Sequence, residues 1–405
     1  MADLFWPGDE RADGLLDDGA LLTAMVAVEQ AWLDALVSAQ VAPASAAADL
    51  TGAVGAADAS ALSAGAEAGG NPAIGLVALL RDRTTGETSR WLHRGLTSQD
   101  VVDTALVLCL REAVDRVLTD LDRQLVLLAD LAHHHRDTVM VGRTLTQHAV
   151  PITFGTKAAS WIDGLVDART AVVGARDGLA VQVGGAAGTL AASVELTGSI
   201  DTALDLVDRT AAALDLPPAP AWHTSRTRMT RTGDALTTLA DAWGHLAADV
   251  ATLSRPEIGE VREGVGGGSS TMPHKSNPVL SVLLRRHAFA APGLSSTLHV
   301  AAGAAVDERP DGAWHAEWAT LRDLGRRSVV AAGQASELLA GLQVDPGAMS
   351  RTLAAAQGTD AEQQSMAALT GRAPAPDYLG AAHHVVDAAV TRARQAVRPA
   401  PEEGA

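Results

Sequence analysis

Apolar positions recur at helical spacing over most of this chain. From Ala20 to about Gln40, Leu22, Met25, Val26, Val28, Trp32, Leu33 and Leu36 form a stripe that predicts a helix. After Thr97 a second stripe runs through Val101, Leu106, Leu110, Val114, Val117, Leu121, Leu125 and Leu128 with no proline or glycine. About 36 residues at ~1.5 Å each predict ~54 Å of helix, a length that suits a bundle or an oligomer core. Further helical patterns cover roughly 151–181, 224–253, 277–304 and 313–342, the third with a kink expected at Pro292. No segment sustains period-two alternation, so few strands are expected. Residues 1–18 read as an extended arm, and residues 42–70 as short helices. Gly69-Gly70-Asn71-Pro72 reads as a break, and GGAAGTLAAS (184–193) as a flexible connector. A break at Pro346-Gly347 opens a small helical tail, disordered after about Val397. The expectation is an all-α fold with an N-terminal helical domain (1–95), a central bundle of five long helices (96–342) and a small C-terminal helical domain (343–405).

Composition narrows the partners. Apolar residues make up 47% of the 405, enough for a large core, and aromatics only 3%. The net charge of −17 argues against nucleic acid and anionic membrane surfaces. An anionic substrate therefore needs a local basic pocket. Cys109 is the only cysteine, so no internal disulfide is possible, and a reducing cytoplasm fits. The acidic start (Asp3, Asp9, Glu10) is not a signal peptide, and no apolar run is read as reaching membrane-spanning length. His133, His134 and His135 point in different directions on a helix and cannot share one metal ion. No nucleotide fingerprint appears either, so no cofactor is expected.

The candidate chemistry centres on GVGGGSSTMPHKSNP, residues 264–278. Dense glycine frees the backbone, while Ser269, Ser270 and Lys275 supply hydroxyls and a positive charge. This suits a loop that closes over a small anion; the plain alternative is a surface linker. A phosphate-binding P-loop fails, because no glycine directly precedes Lys275. Upstream, HRGLTSQDVVDTA (93–105) places Thr97 and Asp100 as a capping-box variant at the start of the long helix. The hydroxyls of Thr97 and Ser98 and the helix N-terminus can also bind a carboxylate.

GSSTMPHKSNP resembles the signature loop of the fumarase/aspartase superfamily, usually written GSSxMPxKxN. HRGLTSQDVVDTA and GRTLTQHAVPITFG (142–155) are similar to its other two signature regions. The resemblance implies Ser269 as the catalytic acid/base and Ser270, Met272, Lys275 and Asn277 as substrate-binding residues. It implies a substrate site at Thr97 and Ser98 with His93 beside them, Gln147 as a further substrate-binding residue and His148 as a catalytic residue alongside Ser269. Arg309, in ERPDGAWHAEW (308–318), is a candidate carboxylate clamp. The resemblance also implies a homotetramer with a twenty-helix core and active sites built from three chains.

Two departures matter. The superfamily pattern GRTH has a histidine where this chain has Leu145, and the glutamate that pairs with it is replaced by Val282. Losing both partners removes the usual device for protonating a leaving group. Ring closure by a carboxylate of the substrate itself needs no such device, since that nucleophile is already ionised at neutral pH. The ordered segments, from GGNPAI (69–74) to ERPDGAWHAEW, resemble the cycloisomerase branch that lactonises 3-carboxy-cis,cis-muconate, a small tricarboxylate. The alternatives are another superfamily lyase, adenylosuccinate lyase above all, and a catalytically silent binding or structural protein on the same fold.

Overall fold

The computed structural model describes residues 3–264, 266–268, 271–272 and 275–397. Among them are fourteen α-helices and two small two-stranded antiparallel sheets. The five long helices are Ser98–His134, Phe154–Asp177, Thr227–Leu253, Val279–Gly303 and Gly312–Gly341. The first has 37 residues, as its uninterrupted apolar stripe requires. Val279–Gly303 continues through Pro292. Two compact units emerge: Met1–Arg116, Val173–Leu236 and Pro292–Val330 in one, Val117–Val172, Thr237–Ala291 and Ala331–Ala405 in the other.

In the first unit the helix Asp18–Ser38 buries Met25, Trp32, Leu33 and Leu36, with Asp17 capping it through a 2.8 Å bond from the Ala20 N–H. By length and hydropathy this helix would pass for a membrane span, which corrects the reading that no run is long enough; 56% of its apolar window is buried in the unit, as in a core helix. Residues 1–18 are not an extended arm throughout. Asp9–Ala12 is a 3-10 helix, and Arg326 grips the Asp9 carboxylate at 2.7 Å while donating to the Leu15 carbonyl at 2.6 Å. A second buried arginine, Arg226, reaches Asp103 at 2.7 Å and Glu317 at 2.6 Å, and the Trp314 indole also donates to Asp103. Burial raises the Glu317 carboxyl above its ordinary value despite Arg226. Breaking such a buried group by removing one partner costs about 3–5 kcal/mol.

The second unit packs around Trp161, Trp243 and Phe154. Gln124 accepts from the Trp243 indole (2.8 Å) and donates to the Ala332 carbonyl (2.9 Å). Helix was expected from residue 151, but the chain there forms a hairpin, Val139–Thr144 against Gln147–Thr153, and the helix starts only at Phe154. Val261–Arg262 pairs with Gln343–Val344 in the other sheet. The long helix ends at Gly341, and the tail helix expected after the break begins at Pro346. Asp345 caps Pro346–Ala355 through Ala348 N–H, and proline takes the first turn, where its missing N–H costs nothing.

Candidate active site

In the first unit, Asp100 organises the start of the long helix. Its carboxylate is fully buried and accepts from the backbone N–H groups of Thr97 (3.0 Å), Gly184 (2.9 Å) and Gly185 (2.9 Å). The His223 Nε2–H (2.9 Å) and the Gln182 amide (3.3 Å) complete the set. One half of the expected capping box, Asp100 accepting from Thr97 N–H, is thus present, and the same carboxylate also anchors a distant segment. Gln182 is sewn in further: its backbone exchanges 2.9 Å bonds with the Thr104 hydroxyl, and its side chain accepts from Trp222 N–H at 2.7 Å. Residues 184 and 185 are therefore buried and fixed, not a flexible connector, because a buried carboxylate needs their donors.

Thr97 and Ser98 are half-buried at the helix N-terminus, and the Arg309 guanidinium donates to the Thr97 hydroxyl. His93, four residues before Thr97, places Nδ1 2.6 Å from the buried Glu29 carboxylate. The Thr97 and Ser98 hydroxyls, the helix N-terminus and the Arg309 guanidinium make a donor-rich end suited to carboxylates, with His93 four residues upstream in the chain.

In the second unit, Gln147 and His148 begin the return strand of the hairpin, opposite Thr144 and Arg143, and both are exposed. The two-residue turn is Leu145-Thr146, with φ of 49° and 72°. Positive φ at both positions is the type I′ pattern, normally filled by Asn-Gly. Leu145, where the superfamily pattern has histidine, therefore stands at the tip and is 95% exposed. Arg143 anchors the hairpin with a two-pronged ion pair to Glu260, both bonds 2.9 Å.

Glu260 lies just before the signature loop. Gly267 and Asn277 close its base by exchanging two 2.9 Å backbone hydrogen bonds. Glu263 caps the following helix through Leu280 N–H, Ser281 N–H and the Ser281 hydroxyl. Here the glycines answer to crowding as well as freedom. A Cβ at Gly264 would lie 2.5 Å from the Gly341 carbonyl oxygen, and at Gly266 and Gly267 it would overlap Ser276 and Val279; only Gly268 has open space. Met272, Lys275 and Asn277 lie within the loop, Met272 and Lys275 exposed and Asn277 half-buried. Ser269 and Ser270 lie outside the described residues. Val282, where the glutamate of the pair is absent, is 54% exposed.

Sequence reasoning missed Glu29, Arg143, Glu260 and Glu263. Glu29 had one visible signal: it is an acid inside the apolar stripe of its helix.

The lyase family model matches residues 21–293. The chain is 40% identical over 404 residues to a nitrosuccinate lyase of Streptomyces davaonensis, covering 96% of this chain and 85% of the relative. It is 40% identical over 387 residues to a 3-carboxy-cis,cis-muconate cycloisomerase of Bradyrhizobium diazoefficiens, covering 93% and 83%. Among solved structures it is similar to the 3-carboxy-cis,cis-muconate lactonizing enzyme from Pseudomonas putida, with a TM-score of 0.84, 33% identity, and 96% and 97% coverage.

Proposed function

The chain belongs to the lyase family within the fumarase/aspartase superfamily, and from that membership we propose that it cyclises 3-carboxy-cis,cis-muconate to a carboxymuconolactone. The observation that carries this reading is the paired replacement at Leu145 and Val282, together with similarity to cycloisomerases over more than nine-tenths of the chain.

In the proposed step a substrate carboxylate oxygen bonds to a carbon of the substrate's own double bond. The π electrons move onto the neighbouring carboxylated carbon, giving an aci-carboxylate. Ser269 then delivers a proton to that carbon and recovers one from solvent. Lys275, Asn277 and loop N–H groups offset the developing charge, an effect of about 10²–10³ in rate per well-placed donor. Thr97, Ser98, Arg309 and His93 hold carboxylates, Gln147 and His148 flank the reacting end, and Ser270 and Met272 shape the loop. No cofactor takes part. The protein acts as a homotetramer with sites shared between chains. This accords with the outward Val282 and Phe289, two turns apart on one helix and 54% and 75% exposed.

A second reading has its own support in the nitrosuccinate lyase relative. Loss of nitrite from a nitrated dicarboxylate also releases a stable anion, so it too needs no acid on the leaving group. Ser269 would then remove the carbon-bound proton. Purified protein is to be given 3-carboxy-cis,cis-muconate, nitrosuccinate and adenylosuccinate, each followed by ultraviolet absorbance. Loss of the diene signal, unaffected by chelator and abolished by Ser269→Ala, is the expected result. Release of fumarate and nitrite with no action on the muconate would replace the first reading by the second. Turnover of adenylosuccinate would refute the inference from Leu145 and Val282.

A further inference from the structure

Glu29 is the only acid among the buried residues of the helix Asp18–Ser38, and it is 1% exposed. Burying a carboxylate is costly unless its oxygens are satisfied. Here one oxygen meets His93 Nδ1 at 2.6 Å, while the other, Oε2, is buried with no hydrogen-bond partner. The histidine end is equally unusual. His93 has φ of 62°, a left-handed backbone that a non-glycine residue adopts only when its surroundings impose it.

Those surroundings are visible. The Arg81 guanidinium donates to the Leu92 carbonyl at 2.8 Å, and the Trp32 indole, one turn beyond Glu29, donates to the Arg94 carbonyl at 2.7 Å. A Cβ on Gly95 would fall 2.8 Å from the Ser193 hydroxyl and 3.2 Å from the Trp32 ring. Residues 92–95 are thus held on both sides of His93, so the only freedom left to it is the ring. Glu29 removes that freedom. The ring stays 18% exposed, and with Nδ1 occupied, Nε2 is the nitrogen left to meet a ligand, just ahead of Thr97.

We infer that Glu29 is the positioning residue of His93. It accepts from Nδ1–H, locks the ring and its tautomer, and makes Nε2 the one atom at which His93 takes up a proton and, once protonated, donates to a substrate carboxylate or gives that proton back. This rests on the reading of residues 93–98 as a substrate-carboxylate site.

The test combines Glu29→Gln, His93→Ala and the double variant, on whichever substrate the enzyme turns over. An amide at residue 29 is isosteric but can also donate, so it no longer dictates the tautomer. Glu29→Gln is expected to lower kcat/KM about 10–100-fold with the thermal midpoint retained, and to add nothing in the His93→Ala background. Effects that multiply in the double variant would overturn the inference. A second readout needs no turnover: long-range ¹H–¹⁵N spectra of ¹⁵N-histidine-labelled protein, with the His93 signals assigned by their loss in His93→Ala. The expected wild-type ring carries its proton on Nδ1 whenever it is neutral. A neutral ring protonated on Nε2 would overturn the proposal, whether or not any substrate reacts and whether or not Glu29→Gln folds.

Discussion

Replacing Asp100 by asparagine tests whether one carboxylate builds the Thr97 site. Oδ1 accepts from Gly184 N–H, His223 and Gln182, and Oδ2 from Thr97 N–H and Gly185 N–H. An asparagine oxygen can replace one of these atoms, but its NH₂ then confronts the donors of the other. The less damaging orientation puts the NH₂ at Oδ2 and leaves Thr97 N–H and Gly185 N–H without an acceptor, the first on a half-buried residue and the second on a buried one. At about 1–3 kcal/mol for each orphaned donor, the local cost is about 2–6 kcal/mol. Hydrogen exchange followed by mass spectrometry on peptides spanning residues 95–98 and 182–188 reads it directly. At about 1.4 kcal/mol per decade, the Gly184 and Gly185 amides should exchange at least ~30-fold faster, provided that exchange follows local opening. Turnover should fall in parallel, because Thr97 and the helix N-terminus lose their anchor. Unchanged protection at residues 184 and 185 would show that packing against Ala221 and His223, and not the carboxylate, fixes this segment.

Two other expectations follow from close contacts and burial. Gly267→Ala should loosen the loop base, with a cost of about 1–3 kcal/mol from overpacking against Val279 and faster exchange at the Asn277 amide, whereas Gly268→Ala should leave stability unchanged; equal effects in urea unfolding would refute the crowding argument. Burial pushes the Cys109 thiol from its ordinary 9.0 up to about 12, so the folded state keeps a proton that the unfolded state gives up. Its contribution to stability is intact below pH 9 and is lost as pH rises toward 12, by at most about 1.4 kcal/mol per pH unit. Cys109→Ala should flatten the alkaline decline in urea midpoint, and native protein at pH 8 should resist iodoacetamide.

The long helices are legible in the sequence because their signal is local: the stripes Leu22–Leu36 and Val101–Leu128 need no distant partner to be read. The hairpin is not. Gly142 sits at an irregularity in the strand register, Pro151 interrupts the strand pattern, and Leu145-Thr146 carries none of the residues that announce a type I′ turn. Residues 184 and 185 read as linker because their immobility comes from Asp100, more than eighty residues away in the chain. The site divides in the same way. Thr97, Ser98, Lys275, Asn277 and Arg309 stand in recognisable strings, whereas the grip of Glu29 on His93 and of Glu260 on Arg143 joins residues 64 and 117 positions apart.

The bridge between Gly267 and Asn277 separates what the loop contains from what carries it. With the two ends already joined, the entropy of closing residues 268–276 depends only logarithmically on their number; doubling that length would cost about 0.6 kcal/mol. Insertions and deletions inside the ring therefore leave the Glu260 and Glu263 anchors untouched. The interior nevertheless carries the string that the superfamily shares, Ser269 to Lys275, so the place to look for divergence between neighbouring activities is outside the ring, at positions such as Leu145 and Val282.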